Sequence, residues 1–169
     1  MAISMHQASV PVMVRMLTNL KGILAKAAKH AREKKIDEAV LLGARLYPDM
    51  FPLTRQVQVA SDFARRTAAR LAGREPLALE DNETTFDELV GRLDRSIEYA
   101  QSIPAREIDG SESREIVFPV RGEPMKVTGL TYLCDFALPN FFFHVTTAYA
   151  ILRHNGVEIG KTDFIGALE

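Results

Sequence analysis

The run Leu138 to Gly156, LPNFFFHVTTAYAILRHNG, constrains the fold of this chain more than any other stretch. Leu138, Phe141, Phe142, Val145, Ala148, Tyr149 and Leu152 recur at three- and four-residue steps, the signature of a helix with one buried face. Pro139 suits the first turn, where its missing N–H leaves no bond unmade. Asn155-Gly156 supplies a left-handed stop, and Arg153 and His154 sit in the last turn, where cations suit the helix dipole. Asn140, His144, Thr147 and Ala148 share one line beside the apolar stripe, so His144 is expected to face the interior.

Three more long amphipathic segments precede it. The first runs from about Val10 to Glu33, with Ser9 as cap and Pro11 in its first turn. Its stripe is Val10, Met13, Leu17, Leu20, Leu24, Ala27 and Ala31. His6 lies ahead of that helix. Asp37 caps a short helix through about Leu46 that uses Val40, Leu41 and Leu42, and Tyr47-Pro48-Asp49 breaks it. The second long helix spans Pro52 to Ala72 before Gly73, and its inward line is Leu53, Gln56, Val57, Ala60, Ala64, Ala68 and Leu71. Gln56 is the polar interruption in that line. Thr85 and Glu88 form a capping box that opens the third long helix, through Ile103, with Phe86, Leu89, Val90, Leu93, Ile97 and Ala100 inward.

Arg114 to Val120 and Met125 to Thr128 alternate as a small hairpin, which Pro119 limits to an edge position or a short ladder. The tail VEIGKTDFIGALE is too short for a separate unit and is expected to pack back. Residues 1–169 therefore predict one mostly α domain. Its architecture is a four-helix bundle with a short helix after the first long one and a hairpin before the last, and bundles build sites from side chains on facing helices.

Composition narrows the function classes. Lys and Arg total 21 against 22 Asp and Glu, a net charge of -1, so there is no basic excess for nucleic acid. Cys134 is the single cysteine and cannot form an internal disulfide; with no signal-peptide pattern at the N-terminus, a cytoplasmic protein is expected. No uncharged apolar run reaches the roughly 20 residues of a membrane span. No Gly-rich phosphate loop, Gly-x-Ser-x-Gly elbow, His-Glu-x-x-His or cysteine pair occurs.

The pocket expected between the second and last long helices gathers Gln56, Asn140 and His144, with Phe141 and Tyr149 as wall. His144 can act as a general acid or base near neutral pH, or as a lone metal ligand. It can equally be a core histidine bonded to Asn140, Gln56 or a backbone carbonyl. Asn140 and Gln56 can orient a ligand, although Asn in a first helical turn also bonds locally. Tyr149, Arg153 and His154 can receive an anion or simply complement the helix end. Cys134, beside Asp135, is expected to be a buried, inert thiol, since a neighbouring carboxylate opposes the thiolate.

The segment PNFFFHVTTAYAILRHNG and the following IGKTDFIG resemble an uncharacterised bacterial family, labelled only as a domain of unknown function, within the DinB/YfiT-like superfamily. The resemblance implies a four-helix bundle that is often a homodimer. Many members hold a divalent metal through three histidines, one from the second helix and an HxxxH pair from the last. Some are thiol-dependent transferases or isomerases acting on small molecules. Against that pattern His144 takes the place of the second histidine of HxxxH, Asn140 takes the first, and the second helix carries Gln56 and no histidine. Zinc or nickel prefers imidazole and thiolate, so the resemblance implies a degenerate metal site. Three functions follow as expectations: a small-molecule-binding bundle with an incomplete metal site, a metal-dependent transferase or hydrolase using His144, or a non-catalytic dimer.

Overall fold

The computed structural model describes residues 2–167. Helix α1 (Met5–Lys34) begins earlier than the Val10 start expected from its stripe. Ser4 is the cap, and its hydroxyl and the Gln7 side chain form a capping box. The Ser-x-x-Gln spacing was visible in the sequence and outweighs Ser9, which is buried with its Oγ donating to Met5 O at 2.7 Å. Pro11 consequently lies inside the helix, and His6 sits in its first turn with its N–H on Asp109 Oδ1 at 2.9 Å.

Helix α2 (Glu38–Leu42) is capped by Asp37 as expected but stops four residues short of Leu46. Leu41 and Leu42 are buried, while Val40 is 63% exposed. Helices α3 (Leu53–Leu71) and α4 (Phe86–Ser102) match their stripes, and the Thr85–Glu88 capping box opens α4. After α5 (Ala105–Ile108), strands β1 (Glu115–Val120) and β2 (Glu123–Thr128) pair antiparallel, with Val120 opposite Glu123. The two residues between them, Arg121 and Gly122, have φ of 53° and 89°, the paired left-handed geometry that matches strand twist in a tight hairpin. Pro119 faces Pro124 across this ladder, which being two-stranded has only edge strands.

The chain is helical from Gly129 to His154. A short α6 (Gly129–Thr131) passes into a π-helical turn over Tyr132–Ala137 and then into α7 (Leu138–His154). Cys134 is exposed on that turn, not buried, because its buried residues are Tyr132, Leu133 and Ala137. The tail forms α8 (Lys161–Ile165) and docks on α1. Lys26 meets Asp163 at 2.6 Å, Asn19 Nδ2 donates to Phe164 O at 2.9 Å, and Arg15 Nη2 donates to Ala167 O at 2.7 Å.

The four long helices α1, α3, α4 and α7 form the bundle, and α3 packs against both α7 and α4. Ala60, Ala64 and Ala68 are buried along α3, which lets its neighbours approach closely. Every apolar residue of the expected α3 and α1 stripes is buried.

Candidate functional site

The α3–α7 contact brings together the two polar residues that interrupt the inward faces of those helices. His144 Nδ1 lies 2.7 Å from Gln56 Oε1, and both side chains are buried. Gln56 Nε2 donates to Phe51 O at 3.1 Å, in the turn leading to α3, which fixes which end of the amide meets the ring. An amide oxygen can only accept, so His144 carries its proton on Nδ1, and Nε2 presents the lone pair. Burial lowers the His144 pKa to about 4, with the Arg55 guanidinium adding to the effect. The imidazole is therefore neutral near pH 7.

Aromatic rings frame this imidazole. Phe63 of α3 lies nearly parallel to it, with centroids 6.1 Å apart, and Phe143 stands perpendicular at 5.3 Å. Phe63 packs on Phe136 of the π-helical turn, and Phe136 packs on Phe118 of β1 at 4.6 Å. A groove of about 400 Å³ on α7, lined by Leu46, Phe142, Phe143, Thr146, Thr147 and Ala150, shares Phe143 with this frame.

Asn140 stands one turn before His144, but its Nδ2 donates to Phe136 O at 2.7 Å, the local bonding available to an Asn in a first turn. Tyr149 does not join the pair. Five residues beyond His144 is a rotation of about 140° around an α-helix, and the Tyr149 ring packs at 5.8 Å on Phe164 of α8 instead. Phe141 is fully buried against Phe142, so the wall at the imidazole is Phe63 and Phe143.

The residues present do not fit the metal that the superfamily resemblance implies. Among the described residues no group of three or more His, Cys, Asp or Glu is placed to hold an ion. One imidazole and two carboxamides, both already bonded, are a poor donor set for zinc or nickel.

A second polar cluster, between α3 and α4, was missed in the sequence. Arg92 is fully buried, and each of its three nitrogens has a partner. Nε donates to Ser61 Oγ at 2.7 Å, Nη1 to Glu80 O and to Glu83, and Nη2 to Asp62 Oδ1 at 2.8 Å, with Asp81 Oδ1 as an ion-pair partner at 2.8 Å. Gln58 Nε2 also donates to Glu83 Oε2 at 2.9 Å, and Arg65 binds Asp62 and Leu77 O. This cluster straps the irregular segment 73–85 onto the bundle. Its one signal in the sequence is that Arg92 and Ser96 continue the Leu89–Leu93 line.

Residues 5–165 match the family model described as "Domain of unknown function (DUF1993)". The chain is similar to a solved structure of a DinB family member protein from Shewanella denitrificans, with 39% identity and a TM-score of 0.90 over 96% of this chain and 92% of that one. No curated protein matches. Among the described residues no helix is long and apolar enough to cross a membrane.

Proposed function

This chain belongs to the DUF1993 family, and we propose that it binds an uncharged small molecule beside the α3–α7 contact, next to the groove on α7, with His144 Nε2 as acceptor and no metal. The observation that carries this reading is the bond from His144 Nδ1 to Gln56, with the amide itself oriented by Phe51 O. A core histidine needs only satisfaction, but among the described residues this arrangement leaves the lone-pair nitrogen of a neutral ring without a protein partner, in an aromatic setting. A ligand hydroxyl or N–H can donate to it, but a ring whose pKa burial holds near 4 is too weak a base to take a hydroxyl proton near neutral pH, so the role supported is binding. Phe63 and Phe143 would receive the apolar part of such a ligand.

The test is a metabolite screen by thermal shift, run on wild type beside His144→Gln. Compounds that stabilise wild type and lose most of that effect in the variant support the site. Hits that stabilise both proteins equally, or no hit from a broad library, would sink it.

A second reading, a non-catalytic homodimer, is favoured by apolar exposure on the same side of α7. Phe143 is 55% exposed and Leu46 41%, and both line the groove there. Light scattering of wild type and Phe143→Ser distinguishes the readings: a dimer that becomes monomeric in the variant supports association through this face, whereas a wild-type monomer excludes it.

A further inference from the structure

We propose that the cleft between the C-terminal end of α3 and strand β1 binds a compact oxyanion, the phosphate or carboxylate headgroup of a small molecule, through Arg70 and Arg114. The cleft encloses about 340 Å³ and is lined by Arg70, Gly73, Arg74, Glu75, Arg114 and Glu115, among others. That volume suits a small metabolite and not a macromolecule.

Its arginines differ in how their charge is answered. Arg74 is committed, with Nε and Nη2 on the two oxygens of Glu107 at 2.7 and 2.8 Å. Arg70 and Arg114 are held by neutral groups. Arg70 Nη1 donates to the Tyr132 hydroxyl at 3.0 Å, and its guanidinium carbon lies 5.4 Å from the Phe118 ring centre and 5.7 Å from that of Tyr132. Arg114 Nη1 donates to Leu71 O and Glu107 O, which close the ends of α3 and α5. Among the described residues neither guanidinium meets a carboxylate. Both keep Nε and Nη2 for another acceptor.

Two fixed planar forks facing one cleft are suited to oxyanion recognition, because the side-chain ordering that binding usually costs is already met by the fold. The carbonyls at the end of α3 offset part of the Arg114 charge but leave Arg70 uncompensated. Glu75 and Glu115 line the same cleft, yet both are exposed, and Glu115 is turned to Lys126 at 3.6 Å. Water and salt screen them from the buried side of the cleft, and they can accept from hydroxyl or amino groups on the body of the ligand.

The experiment is a titration of the 15N-labelled full chain with inorganic phosphate and, separately, acetate, at constant ionic strength set with sodium chloride. Saturable shifts of the Gly73 and Glu115 amides are expected, together with at least about a tenfold loss of affinity in Arg70→Met, since a hydrogen bond to a charged group is removed. Tyr132→Phe keeps the Arg70 charge but frees it, and is expected to weaken binding several-fold. Saturation by phosphate alone assigns a phosphate headgroup, and by acetate alone a carboxylate. The proposal is overturned if neither anion shifts these amides saturably, or if affinity is unchanged in Arg70→Met. Should Arg70→Met not fold, unchanged affinity in Tyr132→Phe overturns it.

Discussion

Gln56 Oε1 and His144 Nδ1 meet at 2.7 Å across the α3–α7 interface although they lie 88 positions apart in the sequence. The bond has a consequence for pH. Burial holds the folded His144 pKa near 4, against 6.5 for the free side chain. Between these values the unfolded chain binds a proton that the folded chain does not, so the stability contribution is complete above about pH 6.5 and is lost as pH falls toward 4. The loss by pH 5 is about 2 kcal/mol. Urea unfolding between pH 7 and 5 is expected to show it in wild type and not in His144→Gln; parallel curves for the two proteins would refute it.

Gln56→Glu is expected to reverse the electrostatics of the pair. A carboxylate facing Nδ1 favours the imidazolium and raises the His144 pKa by at least about one unit, read from its ring proton shift. Gln56→Leu instead leaves a buried N–H and Phe51 O without partners, at a cost of about 1–3 kcal/mol by chemical denaturation. An unmoved His144 midpoint in Gln56→Glu would show that the two groups are uncoupled in solution.

Elemental analysis tests the donor-set argument. Protein dialysed against zinc or nickel is expected to retain well below one equivalent, and His144→Ala is expected to retain the same amount. One equivalent that disappears in His144→Ala would return coordination chemistry to this site.

Arg92 is expected to be the most costly polar side chain to remove. Arg92→Met leaves buried Glu83 without its close cation and takes from Asp62 one of the two buried arginines that answer it, at about 3–5 kcal/mol. Arg92→Lys rescues little, because an ammonium cannot reproduce the planar five-donor fork. The exposed pair Lys29–Glu33, at 3.6 Å, is the contrast: Lys29→Ala should change stability by less than about 0.5 kcal/mol. Equal costs at the two positions would contradict this account of the cluster.

Two glycines give opposite expectations. A Cβ at Gly129 would overlap the backbone carbonyl of Ser111, where the chain enters α6, so Gly129→Ala should cost about 1–3 kcal/mol or more. At Gly22, exposed on α1 with nothing within 4 Å of an added Cβ, alanine should stabilise by about 0.5–1 kcal/mol. Melting temperatures of the two variants check the pair, and a drop in both would refute the reading of Gly22.

Local chemistry made most of the fold legible. The Thr85–Glu88 box, the Asp37 cap and the heptad-like stripes each act within a few residues, so their consequences can be read along the chain, whereas the hairpin turn is two residues tighter than the strand pattern predicts, with β2 starting at Glu123. The same reasoning, applied to Ser4 and Gln7, marks the true start of α1. Cys134 shows where local reading fails: its Asp135 neighbour says nothing about burial, and the π-helical turn buries Tyr132, Leu133 and Ala137 and leaves the thiol exposed.

The candidate site divides along the same boundary. By itself the sequence determined that Gln56 and His144 interrupt inward faces of two long helices, because periodicity fixes which side of a helix is buried. Only the tertiary structure decided that these two meet, that Asn140 turns back to Phe136 O, and that Tyr149 packs on Phe164 of α8. It also decided that Arg92 finds Asp62, Asp81 and Glu83. The physical reason is that such bonds depend on the rotation and axial offset of one helix against another. The packing of the whole bundle sets those quantities, and hydrogen bonds tolerate only a few tenths of an ångström of error in them.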